Sequence, residues 1–395
     1  MTAPYDAPRD DAPVQRVEGP WLRGTVIAAA TAAALLGSYV AHDAAATALY
    51  ESAYDRFTLA DERATTSADK LELLIDRAEQ AVAHTDELEA VLADGYVRPE
   101  DVTTLVAASD GLAAALADAD DDPLSHLLAL AAPDSLETPA WDRYADVVRL
   151  LEQAQKRDAE TVEIEAARDQ IADARAPVTD AVEAVFEGAA ALAGQALADH
   201  PSATYETRIG VQHAIDHAGP VRTHTRDSAA AFSGLVLAVE ELRTSHAAEE
   251  ARKLEPSYPV RAEIEAYARS ISGGVNLDFV WAYEVSGLTS DGWYSGTAEF
   301  WPNDGGWGII TLTHSVSDRW SEDPDAKAIV VHEVGHTQVI RPTCEPLFTG
   351  PVFSGDHEMW ATAWAIAMGH DLPGSGIAAY GRPSDAQIAT AGQCR

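Results

Sequence analysis

Residues 326–340 read AKAIVVHEVGHTQVI, and the rest of the chain is best understood from this stretch. Ser321, Asp323, Pro324 and Asp325 precede it, giving a polar cap, an early proline and acids in the first turn, so a helix opens here. His332 and His336 stand four apart and share one helix face, where both imidazoles can reach a single metal ion. Glu333 projects beside them and can take a proton from a water on that ion, the chemistry of an HExxH helix. Val330, Val331 and Val334 cover other faces, which predicts a buried helix. Gly335 is costly in a helix interior and predicts the close approach of a neighbour.

Working outward, residues 261–270 read as a helix. Residues 275–283, 294–301 and 307–316 read as strands rich in Val, Ile, Phe, Tyr and Trp, with Asn303-Asp304-Gly305-Gly306 as a turn. Seven of the nine tryptophans lie beyond the proline-containing break at 254–259, so composition alone marks a C-terminal α+β domain over 254–395. After the HExxH helix comes SGDHEMWATAWAIAMGH, residues 354–370, which offers Glu358, His357 and Asp356 as rivals for a third ligand position. Cys344 and Cys394 are the chain's two cysteines, and they either pair or stay as small buried residues.

With these residues in view, the domain resembles the zincin zinc metallopeptidases, and within them the gluzincin branch. The likeness covers roughly residues 307–369. It implies Zn2+ as cofactor, His332, His336 and Glu358 as metal ligands, Glu333 as catalytic base, and hydrolysis of a peptide or protein substrate. It also implies an edge strand that holds the peptide, for which residues 307–316 stand in the expected order. Glu358-Met359-Trp360-Ala361 is similar to the ExxA run of the family. Thr362, however, stands where thermolysin-like members carry an aspartate that orients a histidine ligand. The metzincin extension HExxHxxGxxH is absent. For a donor to the developing oxyanion, Tyr380, His370 and His314 are the candidates.

Between 42 and 253 apolar residues recur at helical spacing and prolines punctuate the chain, Pro177 among them, predicting an elongated stalk or bundle of five or six helices. In this region His213, Asp216 and His217 have metal-compatible spacing but read as a solvated face. Residues 24–41 form an uncharged run of 18, preceded by Arg9, Arg16 and Arg23, and predict a transmembrane anchor or signal segment. Residues 1–23 would then be a cytoplasmic tail. The expected fold class is thus mostly α: an N-terminal transmembrane or signal helix, an elongated helical region and a C-terminal α+β zincin-like domain. The expected location is the cell membrane, single-pass with the C-terminal part outside, or secretion. A net charge of −37, from 27 basic and 64 acidic residues, speaks against nucleic acid as a partner. The helical region leaves room for a protein partner or self-association. A competing reading is a non-enzymatic surface protein whose zincin-like domain is degenerate.

Overall fold

Helix formers and short polar breaks dominate the first two thirds of the chain, and the backbone follows them. The computed structural model describes residues 39–119, 123–127, 132–133, 138–219, 226–291 and 293–395. Five helices come first: α1 (Tyr39–Glu89), α2 (Pro99–Ala117), α3 (Ala140–Asp199), α4 (Tyr205–Ala218) and α5 (Ser228–Arg252). Pro177 lies inside α3 and does not end it. A proline in a helix interior removes one backbone hydrogen bond, and packing of the residues on either side outweighs that loss.

The chain divides into two compact units: up to Val82 with Asp110–Pro177, and Ala83–Ser109 with Val178–Arg395. In the first, Tyr50, Ala53, Val147 and Leu150 form an apolar cluster. Beside α3, Arg157 donates to Asp61 at 2.6 Å and to Glu160 at 2.7 Å, and Ser125 also donates to Glu160, which pins the segment 123–127. In the second, Leu88, Leu105, Val185, Phe186, Phe232 and Leu235 belong to the helical core.

The remainder of the second unit is the mixed part. It begins with α6 (Tyr258–Ile271) and continues through β1 (Asn276–Ala282), β2 (Glu284–Val285), β3 (Leu288–Thr289), β4 (Gly296–Trp301) and β5 (Trp307–Thr313). Its helices are α7 (His314–Arg319), α8 (Pro324–Thr337), α9 (Glu345–Thr349), α10 (His357–Ala367), α11 (Ile377–Tyr380) and α12 (Asp385–Ala391). The sheet order is β1-β5-β4, with β1 parallel and β4 antiparallel to β5, while β2 and β3 form a separate hairpin. On β1, Asp278 accepts hydrogen bonds from Tyr205 N and Glu206 N at 2.9 and 3.0 Å, capping α4. Cys344 is bonded to Cys394, with Cα atoms 5.3 Å apart.

Two expectations need correction. Residues 307–316 are not an edge strand, because β5 is central and is paired on both sides, and the chain turns into α7 at His314. The expected N-terminal anchor, membrane partner and single-pass location are likewise not borne out among the described residues. Among the described residues, the helix long and apolar enough to cross a membrane by length and composition is Ala140–Asp199, not an N-terminal one. Of its apolar window, 44% is buried inside the protein, where Val182, Val185, Phe186 and Ala189 pack into the helical core. Alanine-rich apolarity serves a bundle core as readily as a bilayer, so the composition test does not separate them. Residues 1–23 and most of 24–41 lie outside the described residues; Tyr39, Val40 and Ala41 begin α1.

Candidate metal centre

The site grows from the cap of α8. Asp323 accepts from Asp325 N at 2.9 Å and from the Tyr294 hydroxyl at 2.6 Å, tying the start of the helix to the segment before β4. From Ala326 to Thr337 the helix is buried on nearly every face, as a core helix should be. Gly335 lets α10 approach, since a Cβ there would meet Ala361 at 3.1 Å and Trp364 at 3.2 Å. Trp360 Nε1 donates to Gly335 O at 3.0 Å and locks the two helices together.

This contact brings Glu358, in the first turn of α10, opposite the two histidines. His332 Nε2 and His336 Nε2 are 3.1 Å apart, and Glu358 Oε2 lies 3.3 Å from each. These are the atoms that the described residues bring together as a possible metal-holding group. Ligands on a tetrahedral ion at 2.0–2.1 Å are separated by about 3.3–3.4 Å, so the triangle has the right size for zinc. The tautomer fits as well. His332 Nδ1 is 2.9 Å from Ser375 O, a carbonyl that can only accept, so Nδ1 holds the proton and Nε2 offers its lone pair. The residues present therefore fit a metal ion.

The electrostatics follow from burial and proximity. Burial pushes the Glu358 carboxyl up, but the two imidazoles beside it outweigh burial and hold it well below the ordinary carboxylate range. His336 is pushed down by burial, yet Glu358 and Glu333 raise it overall. Glu333 is 3% exposed, and its Oε2 has no hydrogen-bond partner. Burial raises its pKa, only partly opposed by His332 and His336. A carboxylate left unpaired beside a cluster of donor atoms is costly unless the site uses it. Gly296, the first residue of β4, makes room for it, since a Cβ there would come 2.5 Å from Glu333 Cγ.

A cavity of about 370 Å³ opens over the cluster, bordered by Ser286, Gly296, Thr297, Ala298, Phe300, His357 and Tyr380. One wall is the outer edge of β4. Thr313 N donates to Ser295 O, so the antiparallel alternation turns the amides of Gly296, Ala298 and Phe300 away from β5 and toward the open side. The Tyr380 ring stacks on His332, with centroids 6.0 Å apart and planes at 9°. Its phenol is raised by burial and by Glu358 beside it.

The rival residues make other contacts, although His357 also borders the cavity. Asp356 caps α10 by accepting from Met359 N at 3.1 Å, and the His357 ring packs on Phe348 and Phe300. His314 Nδ1 lies 3.1 Å from Arg261, and His370 Nε2 lies 3.3 Å from the Tyr267 hydroxyl; neither lines the cavity. His213 is paired with Asp304 at 2.8 Å. A larger cavity of about 450 Å³ lies near Asp278, but Arg252 in its wall is satisfied by Glu249 and Glu265.

Three contributors escape motif reading: Gly296, the hairpin tip at Ser286, and the Ser375 carbonyl. The Pro373-Gly374-Ser375-Gly376 run is the signal that flags the last as a tight turn. No family model, curated protein or solved structure matches the chain.

Proposed function

We propose that the chain is a zinc-dependent peptidase, with His332, His336 and Glu358 holding the ion and Glu333 acting as the base. The observation that carries this reading is the triangle of donor atoms, 3.1–3.3 Å on a side, with the buried and unpartnered Glu333 carboxylate beside it. Three protein donors leave a fourth position open, as catalytic zinc sites do and structural ones do not. When bound, zinc makes a water acidic near neutral pH and polarises the carbonyl under attack. Glu333 Oε2 receives the proton of the attacking water and delivers it to the leaving amine. Tyr380 donates its phenolic hydrogen to the oxyanion as charge develops there. An extended peptide pairs with the outward amides of Gly296, Ala298 and Phe300, which places its backbone across the cavity.

The test uses the full chain, purified without chelator. Elemental analysis is expected to find zinc near one equivalent, and unfolded protein substrate is expected to be cut. Glu333→Gln should retain zinc and lose turnover by about 10²–10⁴-fold. Protein without zinc, or a Glu333→Gln variant as active as wild type, would sink the reading.

A further inference from the structure

The buried Thr362 hydroxyl has no hydrogen-bond partner, so it does not hold His332. His332 is nevertheless held, from the other side. The segment Pro373–Ser375 is a 3-10 turn that ends in Gly376 at φ +94°, and its Ser375 carbonyl accepts from His332 Nδ1 at 2.9 Å. Two bonds fix that carbonyl in place. Gly374 N donates to Asp325 Oδ1 at 2.7 Å, and the Ser375 hydroxyl donates to His370 O. The packing is tight at both glycines. A Cβ on Gly374 would meet the Asp325 backbone at 2.5 Å, and one on Gly376 would meet Thr362 Oγ1 and come 2.7 Å from His332 Cε1. From Gly376 the chain enters α11 directly and delivers Tyr380 onto the His332 ring.

We propose that this turn is a strap through which Asp325 positions the metal centre, so that Asp325 is a positioning residue for His332 and Tyr380 although it touches neither ion nor substrate. The Ser375 carbonyl, not the Thr362 hydroxyl, is the acceptor for His332. Asp325 lies in the first turn of the helix that carries His332 two turns later, so one rigid element sets both ends of the chain Asp325–Gly374–Ser375–His332. Holding Nδ1–H on a fixed acceptor keeps the imidazole in one tautomer and one orientation, which is what ligand affinity depends on. What Asp325 contributes is an acceptor oxygen at a fixed point. An amide oxygen there can accept the same hydrogen bond. The inference rests on the metal-centre reading, but its readout is zinc affinity, whereas that of the peptidase reading is hydrolysis.

The experiment measures zinc affinity of the full chain by competition with a chromophoric chelator for wild type, Asp325→Ala, Asp325→Asn and Ser375→Ala, together with melting temperature in the metal-free state. Asp325→Ala is expected to weaken zinc binding about 10–100-fold. Asp325→Asn should stay within about threefold of wild type, because the amide oxygen still accepts from Gly374 N. Ser375→Ala loosens the strap from its other anchor and should weaken zinc in the same direction, which keeps the test in force if Asp325→Ala does not fold. Asp325→Ala binding zinc as tightly as wild type overturns the proposal, as does Asp325→Asn losing as much as Asp325→Ala. Wild type that takes up no zinc overturns it too. Tight zinc binding without hydrolysis overturns the peptidase reading alone.

Discussion

At the scale of single residues, the site is a set of groups placed where each would be unstable alone. Glu333 is a buried carboxylate without a donor, and the two imidazoles face each other across 3.1 Å. His332, Glu333 and His336 were legible because helical periodicity puts positions four apart on one face, a rule that needs no tertiary knowledge. Glu358 was legible only through a family likeness, since a separation of 22 positions from His336 says nothing about distance. The Ser375 carbonyl was not legible at all, because every residue has one and only the fold selects it. Gly296 is the residue whose role is easiest to isolate. A methyl group there would overlap the Glu333 side chain, 2.5 Å from its Cγ and 2.7 Å from its Oε1. Gly296→Ala is therefore expected to lower peptide turnover about 10²-fold, the size of effect a displacement near 1 Å produces, while zinc affinity stays near that of wild type. Steady-state kinetics with a zinc titration decides this, and lost affinity with intact turnover would refute it.

At the scale of elements, the α8 helix was readable from its cap, its proline and its apolar cover, all of which are local. The strand order was not, because which strand is central depends on pairings between distant segments. So β5 read as a candidate edge strand and proved to be the middle one, and the exposed edge falls to β4. The helices were recognisable as helices, but Pro177 shows that a local breaker yields where a long helix is held by packing along its length. Elements of the first unit also carry an acid-sensitive joint. Burial alone would raise the Glu160 carboxyl, but hydrogen bonds from Ser125 and Arg157 outweigh it and hold the group below the ordinary glutamate value of 4.5. A depressed acid stabilises the fold above its unfolded pKa, and that contribution disappears as pH falls through the folded value. Between pH 6 and pH 3, wild type should thus lose more stability than Glu160→Gln, read as the shift in urea midpoint. Equal losses in the two proteins would show that Glu160 does not carry the effect.

At the scale of the whole molecule, composition and charge constrain without specifying. The apolar run at 24–41 suggested an anchor, yet among the described residues the helix that meets the length and apolarity test is Ala140–Asp199, partly buried in a core. Net charge bears on function more directly, because its field acts at a distance and needs no register. With 64 acidic against 27 basic residues, the molecule should attract cationic polypeptides and repel anionic ones. For a basic peptide substrate, kcat/KM should fall about tenfold between low and high salt with kcat little changed, and an acidic peptide should show the reverse trend. Matching salt profiles for the two peptides would show that electrostatic steering does not operate.

X-ray absorption at the zinc edge, on the full chain loaded with one equivalent of metal, tests the His332, His336 and Glu358 ligand set. A four-coordinate ion with two imidazole nitrogens, one carboxylate oxygen and one further light atom is expected, at about 2.0–2.1 Å. Glu358→Ala should remove the carboxylate oxygen and leave both imidazoles. A spectrum without two imidazoles, or one unchanged by Glu358→Ala, would contradict that ligand set.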